Sequence, residues 1–187
     1  MQTRLREEVL TVGEQPDVGQ LESLSYLNNF VRELVRRDAS CEYPPWTLSP
    51  LCCRLTATAA LIVPREAVED VVVDGVAVPK GTLLMMVPAV PQRNRRIWGD
   101  DADVFDPDRW DRLAGDATSP YAIGTFTNGP RICIGKNFAM LEMKVILAAL
   151  VRGFAFEMTD ELQTVQYTNP ALTLRRKGGM PVRLRRL

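Results

Sequence analysis

Two stretches of the chain place apolar residues at helical spacing. From about Leu21 to Arg37, Leu24, Leu27, Phe30, Val31, Leu34 and Val35 recur every three or four positions, which gathers them on one face of an α-helix. Lys136 to Leu150 contains no Pro or Gly and is rich in Ala, Leu and Met; it predicts a helix buried nearly all round. Residues 1–11 read as the end of an amphipathic helix, and Gly13 to Gly19, with Pro16, as a loop. Between the two long helices the pattern changes to short valine runs. Val71 to Val78 predicts two strands joined at Asp74-Gly75, a dipeptide suited to a tight hairpin turn. Pro79-Lys80-Gly81 reads as a second turn, Leu83 to Val87 as another strand, and Arg93 to Trp98 as a short helix. In the tail, Leu172 and Leu174, then Val182 and Leu184, alternate around Lys177-Gly178-Gly179. This predicts a hairpin whose basic residues face water, and it accounts for the basic tail without nucleic acid or lipid.

Composition narrows the function by exclusion. The chain has 187 residues, 46% hydrophobic and 25% charged, with 23 acids and 23 bases. It is long enough for one domain with a real core, and its balanced charge suggests no nucleic-acid partner. There is no histidine, which removes His-based triads, His-ligated haem, His-containing zinc sites and imidazole acid–base work. The cysteines, Cys41, Cys52, Cys53 and Cys133, are irregularly spaced. They form neither a zinc pattern nor a disulfide framework, consistent with a reducing, intracellular compartment. The charged N-terminus is not a signal peptide, and no run of about 18 apolar residues forms a membrane anchor.

The segment from Phe126 to Gly135, Phe-Thr-Asn-Gly-Pro-Arg-Ile-Cys-Ile-Gly, carries candidate chemistry. Gly129 and Gly135 allow a sharp turn and close approach by a flat object, because neither carries a Cβ. Pro130 stiffens the loop, and Arg131 is a permanent cation able to pair with a carboxylate. Cys133 lies just before a predicted helix N-terminus, where free N–H groups and the helix dipole favour a negative sulfur. A thiolate held this way is a metal ligand or a nucleophile; a small buried hydrophobe is the bland alternative.

The spacing F-x-x-G-x-R-x-C-x-G resembles the haem-binding loop of the cytochrome P-450 superfamily, the haem-thiolate monooxygenases, and most closely its fungal microsomal members. The resemblance implies that Cys133 is the axial ligand of haem iron and that Phe126 packs beside its sulfur. It implies that Arg131 pairs with a haem propionate, and that Gly129 and Gly135 let the loop lie against the porphyrin. Residues 126–150 would be the haem-binding loop and the helix after it, with Ala139 and Glu142 where the family has its Ala and Glu. Arg65, in Leu-Ile-Val-Pro-Arg-Glu, matches a further propionate-binding arginine. Glu33 and Arg36, three apart on one helix face, match the family's E-x-x-R motif. Phe105-Asp-Pro-Asp-Arg-Trp110 matches its P-x-R-[FW] segment through Arg109. The resemblance implies a structural triad of Glu33, Arg36 and Arg109: one carboxylate between two guanidiniums, an excess positive charge that backbone carbonyls must offset.

Two departures qualify the resemblance. The chain has less than half the length of a usual member and reads as the C-terminal part of one domain. The family's oxygen-activating helix and most pocket-forming segments have no counterpart in it. In addition, residues 38–60, including Tyr43-Pro-Pro-Trp and Leu51-Cys-Cys-Arg, separate motifs that should lie closer. This stretch reads as an insert, either a surface loop or a translated intron in a eukaryotic gene.

The implied fold is α+β and mostly helical, with small β-sheets. The implied activity is oxidation of an apolar small molecule, in the manner of secondary-metabolite biosynthesis, with haem b as cofactor. NADPH would supply electrons through a flavoprotein reductase, often at the endoplasmic reticulum membrane for this family. Two alternatives remain open from the residues alone. One is a catalytically silent remnant serving as a haem-binding or interaction module; the other is a haem-thiolate isomerase or peroxidase.

Overall fold

The computed structural model describes residues 1–38, 64–159, 167–168, 175–176 and 182–187. The 38–60 stretch read as an insert therefore lies outside the described residues apart from Asp38, which ends a helix. The remainder is helical with four two-stranded antiparallel sheets.

Three helices lead the chain: α1 (Gln2–Leu10), α2 (Val18–Ser23) and α3 (Ser25–Asp38). The predicted loop at 13–19 ends early, because Asp17 starts α2 with a capping box. Its side chain accepts the Gln20 N–H at 2.8 Å, and the Gln20 side chain accepts the Asp17 N–H at 2.9 Å, satisfying two donors that a helix start leaves orphaned. The predicted helix from Leu21 is broken at Leu24, whose backbone is extended. The first amides of α3 are instead capped from α1: the Glu8 carboxylate accepts the N–H of Tyr26 at 2.8 Å and of Leu27 at 2.7 Å.

Short pieces follow: β1 (Arg65–Glu66), β2 (Val71–Val73), β3 (Val76–Val78), β4 (Leu83–Leu84), α4 (Ala89–Arg93) and α5 (Arg95–Trp98). The predicted hairpin forms with Val71 opposite Val78. Asp74 and Gly75 both have positive φ, 48° and 78°, the geometry of a turn whose twist matches the strands. The strand expected over Leu83–Val87 is only Leu83–Leu84. In its register Leu84 faces Arg65; a further pair would need Pro64, which has no N–H to donate. Four 3-10 turns then lead to the long helix α6 (Lys136–Gly153).

Strand β5 (Phe154–Met158) continues from α6 and pairs with β8 (Val182–Arg186), Phe154 facing Arg186. The fragments β6 (Tyr167–Thr168) and β7 (Arg175–Arg176) pair with each other. The tail thus departs from the predicted hairpin: among the described residues, its last strand is partnered by β5, and 177–179 lie outside them.

The larger core joins Leu5 and Val9 of α1, Leu21 of α2, Leu27 and Val31 of α3, and Ala148 and Val151 of α6. A smaller one gathers Trp98, Ala102, Ala117 and Ala122. Helix α6 is not buried all round. Phe138 is 71% and Ile146 52% exposed, whereas Ala148 and Val151 are buried in the core shared with α1, α2 and α3. The ends of α1 and α6 are reciprocally fastened. Arg6 donates to the Val151 and Phe154 carbonyls, and Arg152 to those of Val9 and Val12. Each arginine satisfies carbonyls that the other helix's C-terminus leaves open.

Candidate functional site

Glu33 and Arg36, one turn apart on α3, are both fully buried. Arg36 donates to both carboxylate oxygens of Glu33, Nε at 2.8 Å and Nη2 at 2.6 Å, a bidentate pair. Its Nη1 donates to the carbonyls of Gln92 at 2.7 Å and Ala102 at 2.9 Å. The guanidinium also lies over the Trp98 ring, 5.0 Å from the centroid. The structure brings Arg109 to the same place, Nε 3.6 Å from Glu33 Oε1. Asp106 N–H and Trp110 Nε1–H complete the Glu33 carboxylate at 3.1 and 3.2 Å.

Beside the carbonyls expected around the excess cation, a further carboxylate lies at the edge of the cluster. Asp101 is a second carboxylate, accepting from Arg109 Nη1 at 2.9 Å. Carbonyls of Trp98 and Asp101 take further Arg109 donors, each at 2.8 Å. Asp101 is half-exposed and also faces Arg112, so it stands at the edge of the cluster. Inside it, the excess cation is offset by the backbone carbonyls that Arg36 and Arg109 hold. The hydrogen bond from Arg109 holds the Asp101 carboxyl below the usual carboxylate range. Sequence reasoning named Trp110 only as the end of the P-x-R-[FW] segment and missed the roles of Asp101 and Trp98; the only signal for these was the run Trp98-Gly-Asp-Asp-Ala-Asp103.

Cys133 sits at the other end of this architecture. It is a free, exposed thiol that follows the 3-10 turn Gly129–Arg131 and precedes α6. Two backbone bonds fix it: its N–H donates to the Phe126 carbonyl at 2.8 Å, and its own carbonyl accepts the Lys136 N–H at 3.2 Å. Gly129 has φ of 73°, a left-handed conformation glycine adopts without strain. Thr127 also has positive φ, 54°, unusual for a β-branched residue. It is held by its N–H on the Gly124 carbonyl at 2.9 Å and its hydroxyl on the Arg131 carbonyl at 2.5 Å. A Cβ on Gly135 would stand 3.9 Å from the Cys133 sulfur, so any larger side chain there would begin beside it.

The other candidate residues surround this loop unevenly. Ile132 is exposed and Ile134 fully so, and Phe138 projects one helical turn further on. Arg131 is exposed and Phe126 half-buried. Phe126 lines a cavity of about 550 Å³ together with Trp110, Met140 and Leu141. Arg65 lies on β1, its Nη1 donating to the Pro64 carbonyl at 3.3 Å.

The root of the loop is tied to the charged cluster. Gln92, on α4, is fully buried. Its main-chain carbonyl is the one that Arg36 holds, and its side-chain Nε2 donates to the Thr125 hydroxyl. Thr125 in turn donates to the Val35 carbonyl of α3 at 3.2 Å. Next to it, a Cβ on Gly124 would meet Pro88 Cβ at 3.1 Å, so the backbone is packed tightly there. Among the described residues no group of three or more Cys, Asp or Glu side chains could hold a free metal ion. No helix among them is long and apolar enough to cross a membrane.

Comparison with known proteins agrees with this architecture. Residues 52–182 match the family model described as Cytochrome P-450. Cytochrome P-450 monooxygenase sphH of Aspergillus fumigatus is 36% identical over 170 residues, covering 84% of this chain and 28% of the relative. Cytokinin hydroxylase of Arabidopsis thaliana is 32% identical over 189 residues, covering all of this chain and 32% of the relative. Cytochrome P-450 monooxygenase ptmK of Penicillium ochrochloron is 31% identical over 199 residues, with 100% and 35% coverage. The chain spans about a third of the length of the curated relatives it matches.

Proposed function

The chain belongs to the cytochrome P-450 family, and we propose that it is the thiolate-bearing part of a haem-thiolate monooxygenase. The substrate would be an apolar small molecule of secondary metabolism, and electrons would come from NADPH through a flavoprotein reductase. The observation that carries the reading is an exposed Cys133 on a loop tied by its own backbone. A soft thiolate is the donor such a haem iron takes.

The residues around the sulfur fit the group. Exposed apolar Ile132, Ile134 and Phe138 offer a surface for a porphyrin to cover, which would remove them from water. Cys133 would hold the iron. Arg131 and Arg65 would hold the two propionates, since a guanidinium matches a carboxylate in geometry and charge. Phe126 would keep water from the buried side of the sulfur, and Gly129 and Gly135 would keep the loop low enough for a flat ligand. Glu33, Arg36 and Arg109 would act through structure alone, fixing the segment that leads into the loop. When bound, the haem supplies the oxygen chemistry itself.

The test is spectroscopic. The chain is produced with haem, reduced and exposed to CO. A strongly red-shifted Soret band in the parent, absent in Cys133→Ala, is the expected result. Identical spectra for parent and variant would sink haem ligation by Cys133. Substrate-dependent NADPH consumption with a flavoprotein reductase tests the activity separately.

A further inference from the structure

We propose that Gln92 is a positioning residue for the Cys133 loop, acting through the hydroxyl of Thr125. The inference rests on the haem-thiolate reading only for what Cys133 does, not for how it is held.

Gln92 is anchored at two points. Its main-chain carbonyl accepts from Arg36 Nη1 at 2.7 Å, so the Glu33–Arg36 pair fixes where α4 lies. Its side chain is fully buried and donates to Thr125 Oγ1. The Thr125 hydroxyl has one proton and gives it to the Val35 carbonyl at 3.2 Å. It can therefore only accept from Gln92, which sets the orientation of the amide. Gln92 Oε1 is left buried without a partner. An amide kept in the interior with one end unsatisfied is costly, so the bond made by its other end offsets a real penalty.

Thr125 immediately precedes Phe126, whose carbonyl receives the Cys133 N–H at 2.8 Å. A shift of Thr125 moves that carbonyl, and with it the backbone bond that orients Cys133. On the other side, a Cβ on Gly124 would meet Pro88 Cβ at 3.1 Å, so a side chain there would crowd Pro88. The hydroxyl of Thr125 is thus the point where α3 and α4 together set the height of the loop. The amide of Gln92 is the only donor to it among the described residues.

The experiment uses the full chain and two readouts. The first, independent of haem, is hydrogen exchange at the Cys133 amide. Thr125→Val removes the hydroxyl while keeping the shape, Thr125→Ser retains it, and Gln92→Leu removes the donor. Thr125→Val and Gln92→Leu are each expected to raise Cys133 amide exchange by about tenfold, with the double variant no faster than either. Thr125→Ser should match the parent. Exchange in α1 should not change beyond what global stability dictates. The second readout is the ferrous–CO Soret band, expected to shift or split in Thr125→Val and to be restored in Thr125→Ser. Parental Cys133 exchange in Thr125→Val would overturn the proposal; so would an effect of Gln92→Leu that simply adds to that of Thr125→Val. If Gln92→Leu does not fold, Gln92→Met, which keeps the side-chain length without a donor, takes its place. Loss of the CO band's dependence on Cys133 would overturn the haem reading and leave the exchange result standing.

Discussion

Arg109 Nε stands 3.6 Å from Glu33 Oε1 and makes no hydrogen bond to it, being buried without a partner. The other two nitrogens of that guanidinium are engaged by Asp101 and nearby carbonyls. Glu33 is instead hydrogen-bonded by Arg36, by the Asp106 amide and by Trp110. The triad is therefore unequal: Arg36 is the direct partner, and Arg109 contributes mainly as a nearby charge.

Removing Arg36 strands a fully buried carboxylate. Arg36→Ala is expected to lower unfolding free energy by about 3–5 kcal/mol, and more than Arg109→Ala does. Urea denaturation of the two variants, compared at equal slope, checks the order.

The Asp101–Arg109 pair gives a pH dependence. The folded carboxyl lies below its unfolded value of 3.8, so its contribution is present above that value and is lost as pH falls through the lower folded value. Stability should therefore decline below about pH 4. Asp101→Asn should flatten that part of the profile; because the Asp101 side chain is 47% exposed, the effect should stay within about 1 kcal/mol. Melting temperature recorded from neutral pH to pH 2 tests it.

The cap that Glu8 provides to α3 makes a second kind of prediction. Glu8→Ala leaves two helix-start amides without an acceptor and should cost about 1–2 kcal/mol. Glu8→Gln keeps one acceptor oxygen and should recover part of that. Thermal unfolding followed by circular dichroism separates the three proteins.

Phe138 is largely exposed, so Phe138→Ser removes little packing. It should change stability by no more than about 0.5 kcal/mol while reducing binding of a hydrophobic dye. A large loss of stability would show that the side chain is covered in solution.

Much of the outline was legible in the sequence, for local reasons. Asp74-Gly75 named its turn because few other dipeptides tolerate two positive φ values. The stretch before Glu33 and Arg36 announced its helix through periodicity alone. Family spacing picked out Glu33, Arg36 and Arg109 as a group, and the structure brings them together. What was not legible depends on contacts distant in the chain. Glu8 reads as one more acid on an amphipathic helix until α3 is laid beside it. Asp101 is one of several acids in a row, and only the fold selects it. The break at Leu24 and the open face of α6 are likewise tertiary: apolar residues show what can be covered, not which element covers it.

The fastening of α1 to α6 also has a consequence for how the protein is made. Arg6 meets the Val151 carbonyl across a separation of 145 residues. During synthesis at about 5–20 residues per second, α1 waits roughly 7–30 s before its partner leaves the ribosome. Over that interval, the side of Leu5 and Val9 that α6 later covers stays open to chaperones, or to another nascent chain on the same message.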